Sequence, residues 1–236
     1  MKFIKCVYLT LILIIPYSCI NVGQKEKACN SCENVDQQEK KDTCVIHEYV
    51  DLGLPSGLKW ATCNVGASDS EEYGDYYAWG ETEPKDVYEW STYKYCRGRE
   101  KTFTKYCTES EYGTVDNKTR LDPEDDVAHV KWGGNWRMPT EDEWLELAKE
   151  CTWTLITLNG TKGYCVKNES NGNSIFLPAA GGKGENGFCY VGTGGYYLSA
   201  TLNAIVYYYS NDDGSTDFDI FDGVRFMGQS VRPVCP

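Results

Sequence analysis

Gly133-Gly134-Asn135-Trp136-Arg137-Met138-Pro139-Thr140-Glu141-Asp142-Glu143-Trp144 is the stretch whose reading decides the fold. Thr140 followed three residues later by Glu143 is a capping box, and Pro139 sits just before it. Trp144, Leu147, Ala148 and Cys151 then recur at helical spacing, so a helix with one buried stripe starts at Thr140. Upstream, Asp122-Pro123-Glu124-Asp125 offers an N-cap Asp, Pro at the first helical position and acids in the first turn. A second short helix is expected there, ending before Gly133-Gly134.

Strand signals surround these two helices. Glu48-Tyr49-Val50-Asp51-Leu52-Gly53-Leu54 alternates, breaks at Pro55-Ser56-Gly57 and resumes at Leu58-Lys59-Trp60-Ala61-Thr62, which reads as a β-hairpin. An acidic, aromatic, loop-rich stretch runs from Ser68 to about Leu121. Strands are expected at Gly163–Lys167, Ser174–Pro178, Ala204–Tyr209, Asp217–Asp222 and Ser230–Val234. No repeat of solenoid or propeller length is present. The expected class is α+β, with small twisted antiparallel sheets, two short helices and long loops.

The chain has 236 residues, enough for one full domain and a short tail. Lys2 and Lys5 precede an apolar run, Val7 to Ile15, too short to span a bilayer. Residues 1–18 therefore read as an export signal. Tyr17-Ser18-Cys19 places a small residue before a cysteine, as a lipobox does, so lipidation at Cys19 is expected. The alternative is ordinary signal cleavage. Residues 19–45 are polar and charged and read as a flexible tether, leaving 46–236 as the folded domain. Of twelve cysteines, ten remain once Cys6 and Cys19 are set aside. An even number in an exported chain favours disulfide-stapled loops, with Cys96 and Cys107 a plausible local pair. Cys29-x-x-Cys32 has no βαβ context and no second ligand pair, so a tether disulfide or spare thiols are preferred to redox or zinc chemistry. The formal charge is −12, and −14 without Lys2 and Lys5. That field repels phosphate backbones, so no nucleic-acid partner is expected.

From Asn186 to Phe226 there is no Lys, Glu, Gln, Met or Trp, while Tyr, Asp, Gly, Ser, Thr and Asn abound. Tyr and small polar residues are the composition of a binding surface. The five missing residues are also those whose codons all end in a purine. The plainer alternative is a Tyr/Gly-rich sheet with polar turns. By strand alternation Ile205, Tyr207 and Tyr209 share one face, opposite Ala204, Val206 and Tyr208. In the following strand Phe218 and Ile220 face the core, so Asp217, Asp219 and Phe221 face out. Together with Thr201, Asn203, Asn211 and Asp222, these outward residues are the expected ligand-binding set. Exposed rings beside carboxylates can stack on a glycan or peptide and hydrogen-bond to it.

The Gly133–Trp144 string resembles the signature of the formylglycine-generating-enzyme superfamily, whose fold is C-type-lectin-like. Tyr49 to Ala61, Glu72 to Glu81, Leu177-Pro178-Ala179-Ala180-Gly181 and Ser230-Val231-Arg232-Pro233-Val234 resemble more closely the Fibrobacter succinogenes major paralogous domain, common in Bacteroides-type lipoproteins. The resemblance covers about residues 47–236. It implies N- and C-terminal strands paired near each other, with Trp136 and Trp144 in the framework. It also implies an outer-membrane lipoprotein, at the cell surface or the periplasmic face, held by its lipid anchor. The same superfamily includes variable proteins of diversity-generating retroelements, which display an adenine-mutagenised C-terminal segment as a ligand-binding face. The segment from Gly195-Tyr196-Tyr197 to Ser230-Val231-Arg232 sits where that region would be.

Catalytic residues are not expected. Formylglycine-generating enzymes use paired cysteines near the C-terminus, whereas this chain has Cys235 alone, and only His47 and His129 as histidines. No metal or other cofactor is expected. Asp212, Asp213, Asp217, Asp219 and Asp222 offer oxygen donors that would suit Ca²⁺, but their spacing matches no calcium motif. The expectation is a non-enzymatic protein that binds a glycan or protein ligand. Its rivals are an enzyme on the formylglycine-generating scaffold and a structural envelope or pilus subunit.

Overall fold

The computed structural model describes residues 26–27, 47–210 and 216–236. In chain order the strands are β1 (Glu26–Lys27), β2 (Glu48–Asp51), β3 (Lys59–Ala61), β4 (Thr152–Leu158), β5 (Thr161–Lys167) and β6 (Ser174–Pro178). They continue with β7 (Gly182–Gly184), β8 (Gly187–Cys189), β9 (Gly194–Leu198), β10 (Ile205–Ser210), β11 (Thr216–Phe221) and β12 (Val234–Cys235). The helices are α1 (Val127–Trp132) and α2 (Glu141–Glu150). All strand pairs are antiparallel, in four small sheets ordered β1-β2-β3-β12, β4-β5-β6, β7-β8 and β11-β10-β9. The class is α+β.

The ends of the domain meet as expected. β12 pairs β3, with Val234 opposite Trp60. The β2–β3 hairpin forms with Val50 opposite Trp60. Within the segment expected to be a tether, Glu26 and Lys27 instead pair with Tyr49 and Glu48. The rest of that segment, the signal and Cys19 lie outside the described residues.

α2 begins as its capping box dictates. Thr140 Oγ1 accepts from Glu143 N (3.4 Å), and Glu143 Oε2 accepts from Thr140 N (2.8 Å). Arg137 makes a two-pronged pair with the same Glu143 carboxylate, at 2.6 and 2.7 Å, which fixes the chain entering the helix. Trp144 and Leu147 are fully buried, and Trp144 meets Trp60 edge-on at 4.7 Å. The first helix departs from expectation. Pro123–Asp125 forms only a 3₁₀ turn without a side-chain cap at Asp122. The true cap is Asp126, whose Oδ1 accepts from Ala128 N and His129 N. Asp126 also accepts from Met138 N (2.9 Å), so it ties α1 to the approach to α2.

Two large cores and a small cluster of Tyr49, Ala61, Trp136 and Cys235 share the interior. One lies between α2, the terminal sheet, β5–β6 and the inner face of β9–β10, and includes Trp60, Trp144, Tyr164, Leu177, Tyr197 and Tyr208. The other gathers the irregular segment between β3 and α1 around Trp79, Tyr88, Tyr93 and Tyr106. That segment is held by ring packing and by hydrogen bonds such as Trp79 Nε1 to Ser199 O (2.9 Å) and Tyr93 OH to Trp79 O (3.0 Å).

Among the described residues the expected disulfide staples are not formed: no cysteine there is in a disulfide, Cys96 and Cys107 included. Cys96 Sγ points to Trp90 O (2.9 Å) and Cys107 Sγ to Glu109 O (3.1 Å). Aromatic packing does the work the sequence suggested for sulfur. Cys235 is likewise a buried free thiol.

Where the cores meet stands Arg232, fully buried. Its Nε donates to Asn64 Oδ1 (2.9 Å), Nη1 to Ala61 O (3.0 Å) and Thr62 O (3.1 Å), and Nη2 to Phe176 O (3.0 Å). It thereby ties β3, the loop after it and β6 to the C-terminal segment. Removing it leaves three buried acceptors and one partly buried acceptor without this donor, each buried one a cost of about 1–3 kcal/mol if unrelieved. Arg232→Met is expected to destabilise the domain by roughly 3–5 kcal/mol, read as a fall in the urea midpoint. Arg232→Lys should recover only a part. A midpoint unchanged in Arg232→Met would contradict this role.

Candidate recognition face and its supports

β10 is the middle strand of the β11-β10-β9 sheet, and its alternation sorts residues between interior and surface. Val206 and Tyr208 are fully buried. The Tyr208 hydroxyl reaches Pro178 O (2.7 Å), and Tyr197 OH, from β9, reaches the same carbonyl (3.1 Å). Gly195 sits against the Tyr208 ring, where any Cβ would collide with it, so glycine is required for this close approach.

Tyr207 lies on the opposite face, paired across the ladder with Tyr196 on one side and Asp219 on the other. Its ring centroid is 4.7 Å from that of Tyr196 and 6.2 Å from that of Phe221. Tyr196 is in turn 6.3 Å from Phe221 and 5.8 Å from Tyr190. Tyr190 and Phe221 are exposed, Tyr196 and Tyr207 half-buried, and Asp219 is exposed beside them. The result is a four-ring platform with a carboxylate at its side, on a hydrogen-bonded sheet. Such a surface offers stacking area at little entropic cost. Burial and the neighbouring tyrosines hold the Tyr196 hydroxyl protonated, well above the usual phenol range.

The expected set divides on this geometry. Tyr207, Asp219 and Phe221 come together on the platform. Ile205, on the same side of β10, is buried, because Gly223 packs directly on it. Thr201 Oγ1 accepts from Glu141 N (3.1 Å) at the start of α2. Asn203 Oδ1 accepts from Arg225 Nε (3.1 Å) and Nη2 (2.9 Å). These two are thus bonded into the framework, while Asp222 is exposed at the end of β11. Tyr209 and Asp217 are placed by backbone alone, opposite each other in the ladder. Asn211, with Asp212 and Asp213 of the suggested Ca²⁺ donors, lies outside the described residues. Tyr196 and Tyr190 were not in the expected set. The alternation of Tyr196 and Tyr197 could have pointed to the first, since one ring of such a pair must face away from the core.

Among the described residues one acidic group has metal-like geometry, Asp122, Glu124 and Asp125, but lysines fill it. Lys105 Nζ is 2.6 Å from both Asp122 Oδ2 and Asp125 Oδ2, and Lys94 Nζ is 2.9 Å from Asp125 Oδ1. Tyr106 OH donates to Asp125 Oδ2 (2.7 Å). Three of the thiols, Cys63, Cys151 and Cys235, are poor nucleophiles at neutral pH. Burial pushes Cys151 up to about 12 and raises Cys63 and Cys235. His47 is stacked on Trp132 at 3.7 Å, and burial lowers its pKa.

No protein-family model, curated protein or solved structure matches this chain.

Asp125 supplies a pH test of the framework. Burial opposes its charge, but bonds from Lys105, Tyr95, Tyr106 and Lys94 outweigh it and hold the carboxyl well below the usual range. A depressed folded pKa stabilises above the unfolded value, ~3.9, and that contribution is lost as pH falls through the folded one. Asp125→Asn is expected to cost about 2 kcal/mol at neutral pH, with the deficit shrinking below pH ~4. Melts across pH 2–8 check this. A deficit independent of pH would contradict the ionic role.

Proposed function

We propose that the chain is a non-enzymatic recognition protein of the bacterial envelope. In this reading its C-type-lectin-like domain, of the Fibrobacter succinogenes major paralogous type, is exported and anchored through a lipid on Cys19 in the outer membrane. It binds a glycan or protein through the platform of Tyr196, Tyr207 and Phe221 with Asp219. The observation that carries the reading is a cluster of four rings, Tyr190, Tyr196, Tyr207 and Phe221, joined through Tyr196 and Tyr207 on the side of the sheet opposite the buried Tyr197, Val206 and Tyr208. Core rings need no such outward cluster, whereas a stacking surface does.

The residue composition of 186–226 adds a second strand of support. A segment diversified through adenines would vary at outward positions and keep Tyr197, Val206 and Tyr208, which fill the core. Sequencing this segment across sister isolates is expected to show substitutions concentrated at Tyr196, Tyr207, Asp219 and Phe221. An even spread over buried and outward positions would count against a displayed variable face.

The binding test is an array of bacterial and host glycans and envelope proteins probed with the purified full chain. For any ligand recovered, Tyr207→Ala with Phe221→Ala is expected to weaken binding at least tenfold, about 1.4 kcal/mol or more. The melt should stay within a few degrees, because both rings are partly solvated. Full affinity in the double variant would refute this face as the site.

A further inference from the structure

Beyond Phe221 the chain leaves the sheet, and Asp222 and Arg225 line a cleft of about 340 Å³. Aromatic walls come from Trp90, Phe103 and Tyr112, and Glu100 and Glu109 stand at its rim. Glu100, Glu109 and Asp222 are exposed, and among the described residues their carboxylates have no ion-pair or hydrogen-bond partner. Three carboxylates and one buried guanidinium leave the cleft with an excess of negative charge beside ring faces.

The same chain already shows what such a combination holds. Lys105 Nζ lies 4.8 Å from the Tyr106 ring centroid and 5.8 Å from that of Tyr95, while bonding Asp122 and Asp125. Ring faces plus carboxylates bind an ammonium by cation–π attraction and ion pairing together. In the cleft one cation, Arg225, is already seated. Its guanidinium lies 4.2 Å over Phe103 and donates to Tyr106 O (2.9 Å) and Asn203 Oδ1. The rest of the lining, Trp90, Tyr112 and the three acids, is left to receive a second cation.

We propose that this cleft binds the side chain of a lysine or arginine presented by a basic peptide. The site is distinct from the aromatic platform and does not depend on it. Lys101 is the internal competitor. It is exposed, its Nζ lies 5.0 Å from the Tyr112 ring centroid, and among the described residues it has no carboxylate partner within 4.0 Å. A hydrogen bond to Glu111, with the fields of Glu111, Glu109 and Glu100, raises the pKa of the Tyr112 hydroxyl, in keeping with a negative surround.

The probes are hexalysine and hexaglutamate, titrated calorimetrically into the full chain at low salt. Hexalysine should bind and hexaglutamate should not. Because the whole protein is acidic, charge-matched variants decide the location. Glu100→Gln, Glu109→Gln and Asp222→Asn together are expected to weaken hexalysine binding roughly tenfold. Asp86→Asn, Asp142→Asn and Glu185→Gln remove the same charge elsewhere and should change it less than about twofold. Tyr112→Leu should weaken binding about threefold, and Lys101→Met should tighten it. Absence of hexalysine binding, or equal loss in the two charge-matched triples, would overturn the cleft as a cation site. Full ligand affinity in Tyr207→Ala with Phe221→Ala, with hexalysine binding intact, would refute the recognition face and leave this proposal standing.

Discussion

The buried guanidinium of Arg232 is the constraint on which the rest of the fold depends. A permanent charge with no water around it persists only if its donors are used. Here the acceptors are carbonyls of Ala61, Thr62 and Phe176 and the amide oxygen of Asn64. These lie on segments far apart in sequence, and no single sheet contains them all. Satisfying one side chain therefore sets the terminal sheet, β6 and the last segment in one arrangement. Tyr197 and Tyr208, both fully buried, pack in the same core and share the Pro178 carbonyl as acceptor.

That arrangement fixes what the β11-β10-β9 sheet shows to solvent. With Tyr208 and Val206 committed inward, the pleat leaves Tyr207, Tyr196, Asp219 and Phe221 outward. The frame carries the order and leaves these outward side chains out of the core, a division suited to recognition. Loops without regular structure are held by rings and by Arg225, whose guanidinium lies over Phe103 and Trp79. The aromatic content, 14%, is thus spent largely on the interior, which makes the outward platform the exception to be explained.

Local features were legible in the sequence, and non-local ones were not. The Thr140–Glu143 box, the β2–β3 hairpin and the β10–β11 alternation depend on neighbours a few residues away. β4 was missed because no Gly, Pro or Asn separates it from α2. Cys151 turns directly into extended backbone (φ −118°, ψ 150°). Asp122 carried the more obvious N-cap pattern, yet Asp126 caps α1, because it alone also reaches Met138 N across the fold. The disulfide expectation rested on counting cysteines, and none of the described cysteines is paired with another. In the candidate site, Tyr207, Asp219 and Phe221 followed from strand period. Tyr196 and Tyr190 needed the sheet order, and the roles of Thr201 and Asn203 needed partners 60 and 22 residues away.

The most direct test of the account is amide hydrogen exchange on Arg232→Met compared with the unaltered chain. If Arg232 unites the layers, protection should fall together in β3, β6 and β9–β10, as one cooperative unit. Loss confined to residues next to position 232, with β6 and β10 still protected, would contradict it.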